Sequence, residues 1–308
     1  MTPKRLRRRM KSLALFLLAS AALASAACTI DVQGMHGQGA VVREQRRISL
    51  TGAPNVTIRT FNGSIQLRSW DRNEILLDIE RRAETAADAR EIEVETSEAG
   101  GNVLIEAKYR ERRGFVMHMG VSPGVRMTVT VPRTLNLEAR TSDGSIDARD
   151  LSGRVELGTG DGSVRLQQVG GDITIRTGDG SVFARELDGM VEVTTGDGSV
   201  EMSGRFAGLR AHTGDGSVGI DALAGSTMQR EWNVSSGDGG VTMRLPNDFN
   251  AEIDARTGDG AISTSGIAVT RPAGEGQRRR VVRGRVGTGG EVLTLRTGDG
   301  SIRIVARQ

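Results

Sequence analysis

Apolar and polar residues alternate with period two over most of the chain. Val155 and Leu157 precede one Asp-Gly pair, and Val164 and Leu166 follow it. Ile173 and Ile175, then Val182 and Ala184, repeat the pattern, as do Val191 and Val193, then Val200 and Met202. Alternating β-branched residues predict strands, and the Asp-Gly between them predicts a tight turn. Glycines at fixed places exclude a helix here. The turn Asp stands at 143, 161, 179, 197 and 215, a step of 18, and recurs at 238, 259 and 299. Gly153, Gly171 and Gly189 keep the same step.

Each unit is thus two short strands and two corners, too small to bury its own apolar face. Stacking on neighbours buries it. The expected fold is all-β: a β-solenoid, a single-stranded β-helix-like stack of 18-residue coils with one short helix in the N-terminal part. Coils about 4.8 Å apart would align equivalent residues in ladders, one of them Thr141, Thr159, Thr177, Thr195, Thr213, Thr257 and Thr297, with Ser236 in the matching slot. A meander of antiparallel hairpins is the rival, because Asp-Gly is also a hairpin signal. Equal spacing favours coils.

Residues before 135 are less regular. Asn55–Ile65 is a diverged copy of the unit, Glu74–Glu80 reads as a strand, and Glu84–Glu91 reads as a short helix with Thr85 as its N-cap. Val103–Tyr109 and Val125–Val131 read as strands, with Pro132 ending the second and Arg110–Gly124 a long loop between them. The division expected is a signal peptide over 1–27, a flexible tether over 28–47, an N-terminal β region over 48–134, and repeats over 135–308 with a basic insertion near 268–285.

Charge changes one inference. The formal net charge is +3, but residues 1–27 hold six basic residues and no acid. Without them 35 basic residues face 38 acids, a balance of −3 that argues against a nucleic-acid partner. Those 27 residues have the form of an export signal: a basic start, the apolar run Leu13–Ala19, then small residues up to Ala27. Cys28, the single cysteine, excludes an intrachain disulfide and sits where bacterial lipoproteins are acylated. Ser25-Ala26-Ala27-Cys28 resembles that lipobox, with Ser25 where Leu is preferred. The expectation is an exported, periplasmic or cell-surface protein, held to the membrane by a lipid anchor at Cys28.

Four features together resemble the toast-rack family of bacterial β-strand repeats, whose members are often labelled as candidate adhesins. They are Asn62-Gly63-Ser64-Ile65, the short helix near 84–91, the recurrent Gly-Ser-Val turns, and Arg283–Gly290 leading to Gly300–Ile304. The resemblance runs from about Ile48 to the C-terminus. It implies an extracytoplasmic β-solenoid and brings no catalytic residues. Relatives commonly carry Asn where this chain carries Asp in the turn.

The Asp row, Asp161, Asp179, Asp197 and Asp215 above all, has the look of a calcium ladder. Calcium-binding β-rolls need a second set of acceptors nine residues away, and Ser152, Gly170 and Asp188 stand there. Asn62 in the early copy points to a turn role, since Asn and Asp both fold back onto the backbone and tolerate the left-handed region. Adjacent carboxylates would repel by about 1 kcal/mol in water, which Arg140, Arg176, Arg256 and Arg296 are positioned to offset. Met35-His36 and Met117-His118-Met119 hint at soft-metal ligation, while His212 reads as a solvated side chain. Arg278, Arg279, Arg280, Arg283 and Arg285 form the clearest basic patch: a contact for anionic lipid or envelope polymer, or a charged hairpin that blunts a sheet edge. Arg110–Arg113 poses the same choice. No cofactor or catalytic residue is expected. The function expected is a non-catalytic envelope surface, scaffold or adhesin-like protein with a polymer or protein partner. A calcium-dependent surface protein and a β-helix carbohydrate-active enzyme remain as rivals.

Overall fold

The computed structural model describes residues 30–34, 39–50, 52, 54–109, 121–271 and 279–307. Each 18-residue unit lays one strand in a first rank and one in a second. In the first rank Thr134–Thr141, Ser152–Thr159 and Gly170–Thr177 lie parallel, with Thr141, Thr159 and Thr177 in register. In the second, Ile146–Arg149, Val164–Gln167 and the start of Val182–Thr195 do the same, with Ile146, Val164 and Val182 in register. Repeating units therefore pair in parallel, one period apart, and not as antiparallel hairpins. Val182–Thr195 and Val200–Thr213 run through both ranks and join the 24 strands among the described residues into one mixed sheet.

The register follows from what is buried. Ile146, Val164, Val182, Val200, Val218, Val241 and Ile302 form one inward row, each at most 1% exposed. Burying each contributes about 1.5–3 kcal/mol, and a slip by one residue would turn the whole row to water. Trp232 closes the C-terminal interior, with ring centroids 6.0 Å from Phe206 and 5.1 Å from Phe249.

Stack order departs from chain order at both ends. Asn55–Thr60 pairs on one side with Thr134–Thr141 and on the other with Asn102–Tyr109, so the early copy is a full member of the stack. Val292–Thr297 inserts between Trp232–Ser236 and Ala251–Thr257, and Ile302–Ala306 likewise lies between Val241–Leu245 and Ile262–Ser265. The final stretch of chain therefore returns to fill an inner position. The first rank is closed at the C-terminal end by Val281–Val286, antiparallel to Ala251–Thr257. At the N-terminal end Ile92–Ala99 pairs antiparallel with Asn102–Tyr109, and Glu74–Ala83 lies antiparallel between Gly124–Pro132 and Ala40–Ser49. Antiparallel covers of this kind protect strand edges that would otherwise recruit further chains. The helix forms over Ala86–Arg90, with the Thr85 hydroxyl accepting from the Asp88 N–H as an N-cap should.

The tether expected over 28–47 does not hold where strands form, at 30–34 and from 40 onward. Ala40–Ser49 is a strand paired from Ala40↔Ala83 to Ser49↔Glu74, and Ile30–Gly34 pairs with it in turn. The alternation was masked because charged residues take inward positions. Glu44 accepts from Arg81 at 2.6 Å and pairs with Arg46, whose guanidinium also donates to the Val94 carbonyl at 2.6 Å. Arg81 is only 8% exposed. Burial alone would raise the Glu44 pKa, but hydrogen bonds and charge from Arg46 and Arg81 outweigh it and hold the carboxyl below its usual value.

A depressed folded-state pKa contributes stability that is present above the unfolded pKa and lost as pH falls through the folded one. Urea unfolding followed across the acid range should therefore show wild-type stability declining there. Glu44→Gln should flatten that decline and cost about 3–5 kcal/mol at neutral pH, because it leaves Arg81 buried without its anion. An unchanged pH profile would remove this role.

Candidate functional site

The repeated corner is held by its threonine. Thr195 Oγ1 donates to the carbonyl of Gly180 in the preceding coil at 3.0 Å, Thr213 to Gly198 at 2.8 Å, and Ser236 to Gly216 at 2.7 Å. The same oxygen accepts from its own turn: Gly216 N–H reaches Thr213 at 3.3 Å and Gly239 N–H reaches Ser236 at 2.9 Å. The ladder follows space rather than sequence, since Thr297 donates to Gly239 and Thr257 to Gly300, both at 2.7 Å. Coils approach so closely here that a Cβ on Gly180 would collide with the Gly162 carbonyl oxygen. Glycine is required by contact.

The Asp residues do something else. Asp161, Asp179, Asp197 and Asp215 are all exposed. None has a positive φ; among non-glycine residues that conformation falls to Asp150, Gln168 and Glu186, at the opposite corner. None of the four takes part in a side-chain hydrogen bond or ion pair among the described residues. The expected Asx-type turn is thus corrected: the hydroxyl two residues earlier closes the corner, and the carboxylate points to water. Nor do the expected arginines offset the row. Arg140 pairs with Glu138 at 2.9 Å, Arg176 with Glu192 at 3.7 Å, and Arg256 and Arg296 with Asp254 at 2.9 and 3.8 Å. No group of three or more metal-ligating side chains converges among the described residues.

The basic patch is largely paired. Arg280 meets Asp259 at 3.2 Å, Arg283 meets Asp254 at 3.6 Å, and Arg285 meets Glu252 at 3.1 Å. These contacts belong to the antiparallel strand that covers the first rank, so the charge serves the edge. Arg279 offers its carbonyl to the Ile262 N–H at 2.9 Å. Exposed His212 has its Nδ1 3.0 Å from the hydroxyl of Ser235, its half-buried ladder neighbour. Arg278, Cys28, the signal segment 1–27, His36, His118 and Arg110–Arg113 lie outside the described residues.

A contrast between the two outer faces escaped the sequence. On the first rank most charges pair, within a strand or across coils: besides those above, Arg59 meets Glu138 of the next coil at 3.5 Å, and Arg154 meets Glu156 of its own strand at 2.8 Å. On the second rank Arg68, Arg149, Arg165, Arg185, Arg244 and Arg303 are exposed and have no ion-pair partner among the described residues. The signal was present as arginines at outward positions of the strands that follow each Asp-Gly. It becomes legible only once the ranks are known.

If carboxylates at the corners bear neither fold nor cation, the triple change Asp161→Asn, Asp179→Asn, Asp197→Asn should shift unfolding stability by no more than about 0.5 kcal/mol. Calcium titrated into the wild type should give neither heat nor thermal shift. A calcium-induced rise in melting temperature that the triple variant loses would refute this.

The model of the Toastrack DUF4097 family matches residues 40–305. No curated protein matches the chain. Solved structures similar to it include a candidate cell adhesion protein from Clostridium sporogenes, at 14% identity over 86% of this chain and 99% of that one, with a TM-score of 0.26. A candidate lipid binding protein from Parabacteroides distasonis is 14% identical over 85% and 96% of the two chains, with a TM-score of 0.49. A candidate adhesin from Parabacteroides merdae is 10% identical over 86% and 96%, with a TM-score of 0.44. The extent of the family match, together with its repeats and corners, makes this chain a member of the Toastrack DUF4097 family.

Proposed function

We propose that the chain is a non-catalytic protein of the bacterial cell envelope, an adhesin-like or scaffolding β-solenoid that binds through its outer faces. The observation that carries this reading is the registered outer surface. Parallel pairing one period apart repeats each outward position from coil to coil, so side chains line up in straight rows on a rigid support. Such rows suit an extended partner. Catalysis asks for the opposite, differentiated groups gathered at one spot. Export is supported by the signal pattern of residues 1–27, and a lipid tether by Cys28 at its end. No helix among the described residues is long and apolar enough to cross a membrane.

Two measurements test this. Mass spectrometry of the mature N-terminus should find cleavage before Cys28 and an acylated cysteine. Pull-down from intact envelopes should recover a polymer or protein partner with the tagged chain. Unprocessed protein in the cytoplasm, or envelopes that yield no partner, would contradict the proposal.

A further inference from the structure

We infer that the outer face of the second rank binds a linear acidic polysaccharide, gripped by Arg149, Arg165 and Arg185. The inference rests on the envelope-binding reading above and names its partner.

The charge asymmetry comes first. On the first rank most arginines are ion-paired, Arg210 being an exposed exception, whereas the second presents six arginines without such pairs. The acids on that strip are Asp147, Glu201 and Asp221, and Asp221 already meets Arg307 at 3.7 Å. Six arginines against three acids leave the strip positive on a body that is otherwise mildly acidic. A guanidinium presents paired N–H groups that match a carboxylate fork, so unpaired arginines on a rigid sheet are pre-organised for such groups.

Geometry then selects the shape of the partner. Each coil contributes a strand of about four residues to this face, as in Ile146–Arg149 and Val164–Gln167, with only two outward positions. The register sets Arg149, Gln167 and Arg185 in one row and Asp147, Arg165 and Phe183 in the next. Arg149 and Arg185 are two coils apart, about 10 Å, and the strip is about 7 Å wide. Along one margin runs the exposed row of Asp143, Asp161, Asp179 and Asp197; along the other stand Asp150, Glu186 and Asp188. A plane of anionic headgroups would press on both acidic margins within a screening length of about 8 Å. A single chain narrow enough to lie along the strip meets the arginines directly and is repelled inward from both margins. The unexplained Asp ladder thus acquires a use, as a rail that confines an anion to the arginine row.

One apolar feature narrows the chemistry. Phe183 is 40% exposed, the most exposed large hydrophobic residue among those described, and the Arg165 guanidinium lies 5.9 Å from its ring centroid. Further along the row Gly219 opens a shallow notch beside Arg244 and Arg303. A Cβ there would meet Glu201 at an ordinary 3.7 Å, so the fold does not demand this glycine. An aromatic face beside a cation, with a shallow recess two coils on beyond Glu201, suits a sugar ring that carries an acid. Single-stranded nucleic acid would want successive aromatic platforms, and this strip has one.

The test uses polygalacturonate as probe, with the full-length chain, by calorimetry at about 0.05 M salt, where charge contacts are least screened. Wild type should bind, and more weakly as salt rises. The variant R149Q/R165Q/R185Q should bind about tenfold or more weakly while keeping its unfolding midpoint, because all three side chains are exposed. R149K/R165K/R185K, which keeps charge but loses the fork, should fall between. R279Q/R280Q should bind like wild type. The inference is overturned if wild type does not bind the polymer, if the glutamine variant binds equally well, or if anionic phospholipid vesicles or oligothymidine bind better. A glutamine variant that still recovers the wild-type partner from envelopes would sink this inference and leave the envelope-binding reading standing.

Discussion

The structure depends on one contact: at the corners from Thr141 onward, a threonine or serine hydroxyl donates to a glycine carbonyl of the neighbouring coil. That bond fixes the axial spacing where the backbone turns, together with backbone bonds between corner glycines such as Gly178 N–H to the Gly160 carbonyl at 2.7 Å. Its two requirements explain the repeat. The donor must be small and turn-compatible, hence Thr or Ser. The acceptor must come within hydrogen-bond reach of a second backbone, hence glycine on either side. The buried rows of Val and Ile set the same register from inside, since a slip would turn them to water, and the corners hold it. Where the chain order changes, at Thr297 and Thr257, the same bond is re-made with whichever coil is the spatial neighbour. The seam is therefore a property of the stack and not of sequence adjacency.

Much of this was legible in the sequence. Period-two alternation and the 18-residue step gave strands, corners and a threonine row. Thr85 marked the helix start. The role of each corner residue was harder to read, because Thr, Gly and Asp repeat with equal strictness and periodicity cannot rank them. The Asp took the credit for a bond made two residues earlier. The strand Ala40–Ser49 was hidden because Glu44 and Arg46 occupy inward positions, and their burial makes sense only beside Arg81, far away in the chain. The return of residues 292–306 into an inner position has no local signal at all, since parallel neighbours need no adjacency in sequence.

The candidate surface shows the same division. Arginine runs near 278–285 stood out by density, yet Arg280, Arg283 and Arg285 are tied to Asp259, Asp254 and Glu252 at a covered edge. The arginines of the second rank are scattered singly in sequence, at 149, 165 and 185, and become one strip only through the coil register. A stack of registered repeats of this kind separates two tasks. Interior and corners specify the fold, and outward positions between corners are free to vary. Binding chemistry, charge pairing included, can then be written on one face without disturbing the support.

The most direct measurement of the central claim is denaturant unfolding of Thr177→Val, Thr195→Val and Thr213→Val, singly and combined, with hydrogen exchange of the corner glycine amides. Valine keeps the shape and removes the hydroxyl. Each change should cost about 1–3 kcal/mol and speed exchange at its own corner, because a buried carbonyl is left without a donor. Valine variants as stable and as protected as the wild type would show that the corners are held by something else.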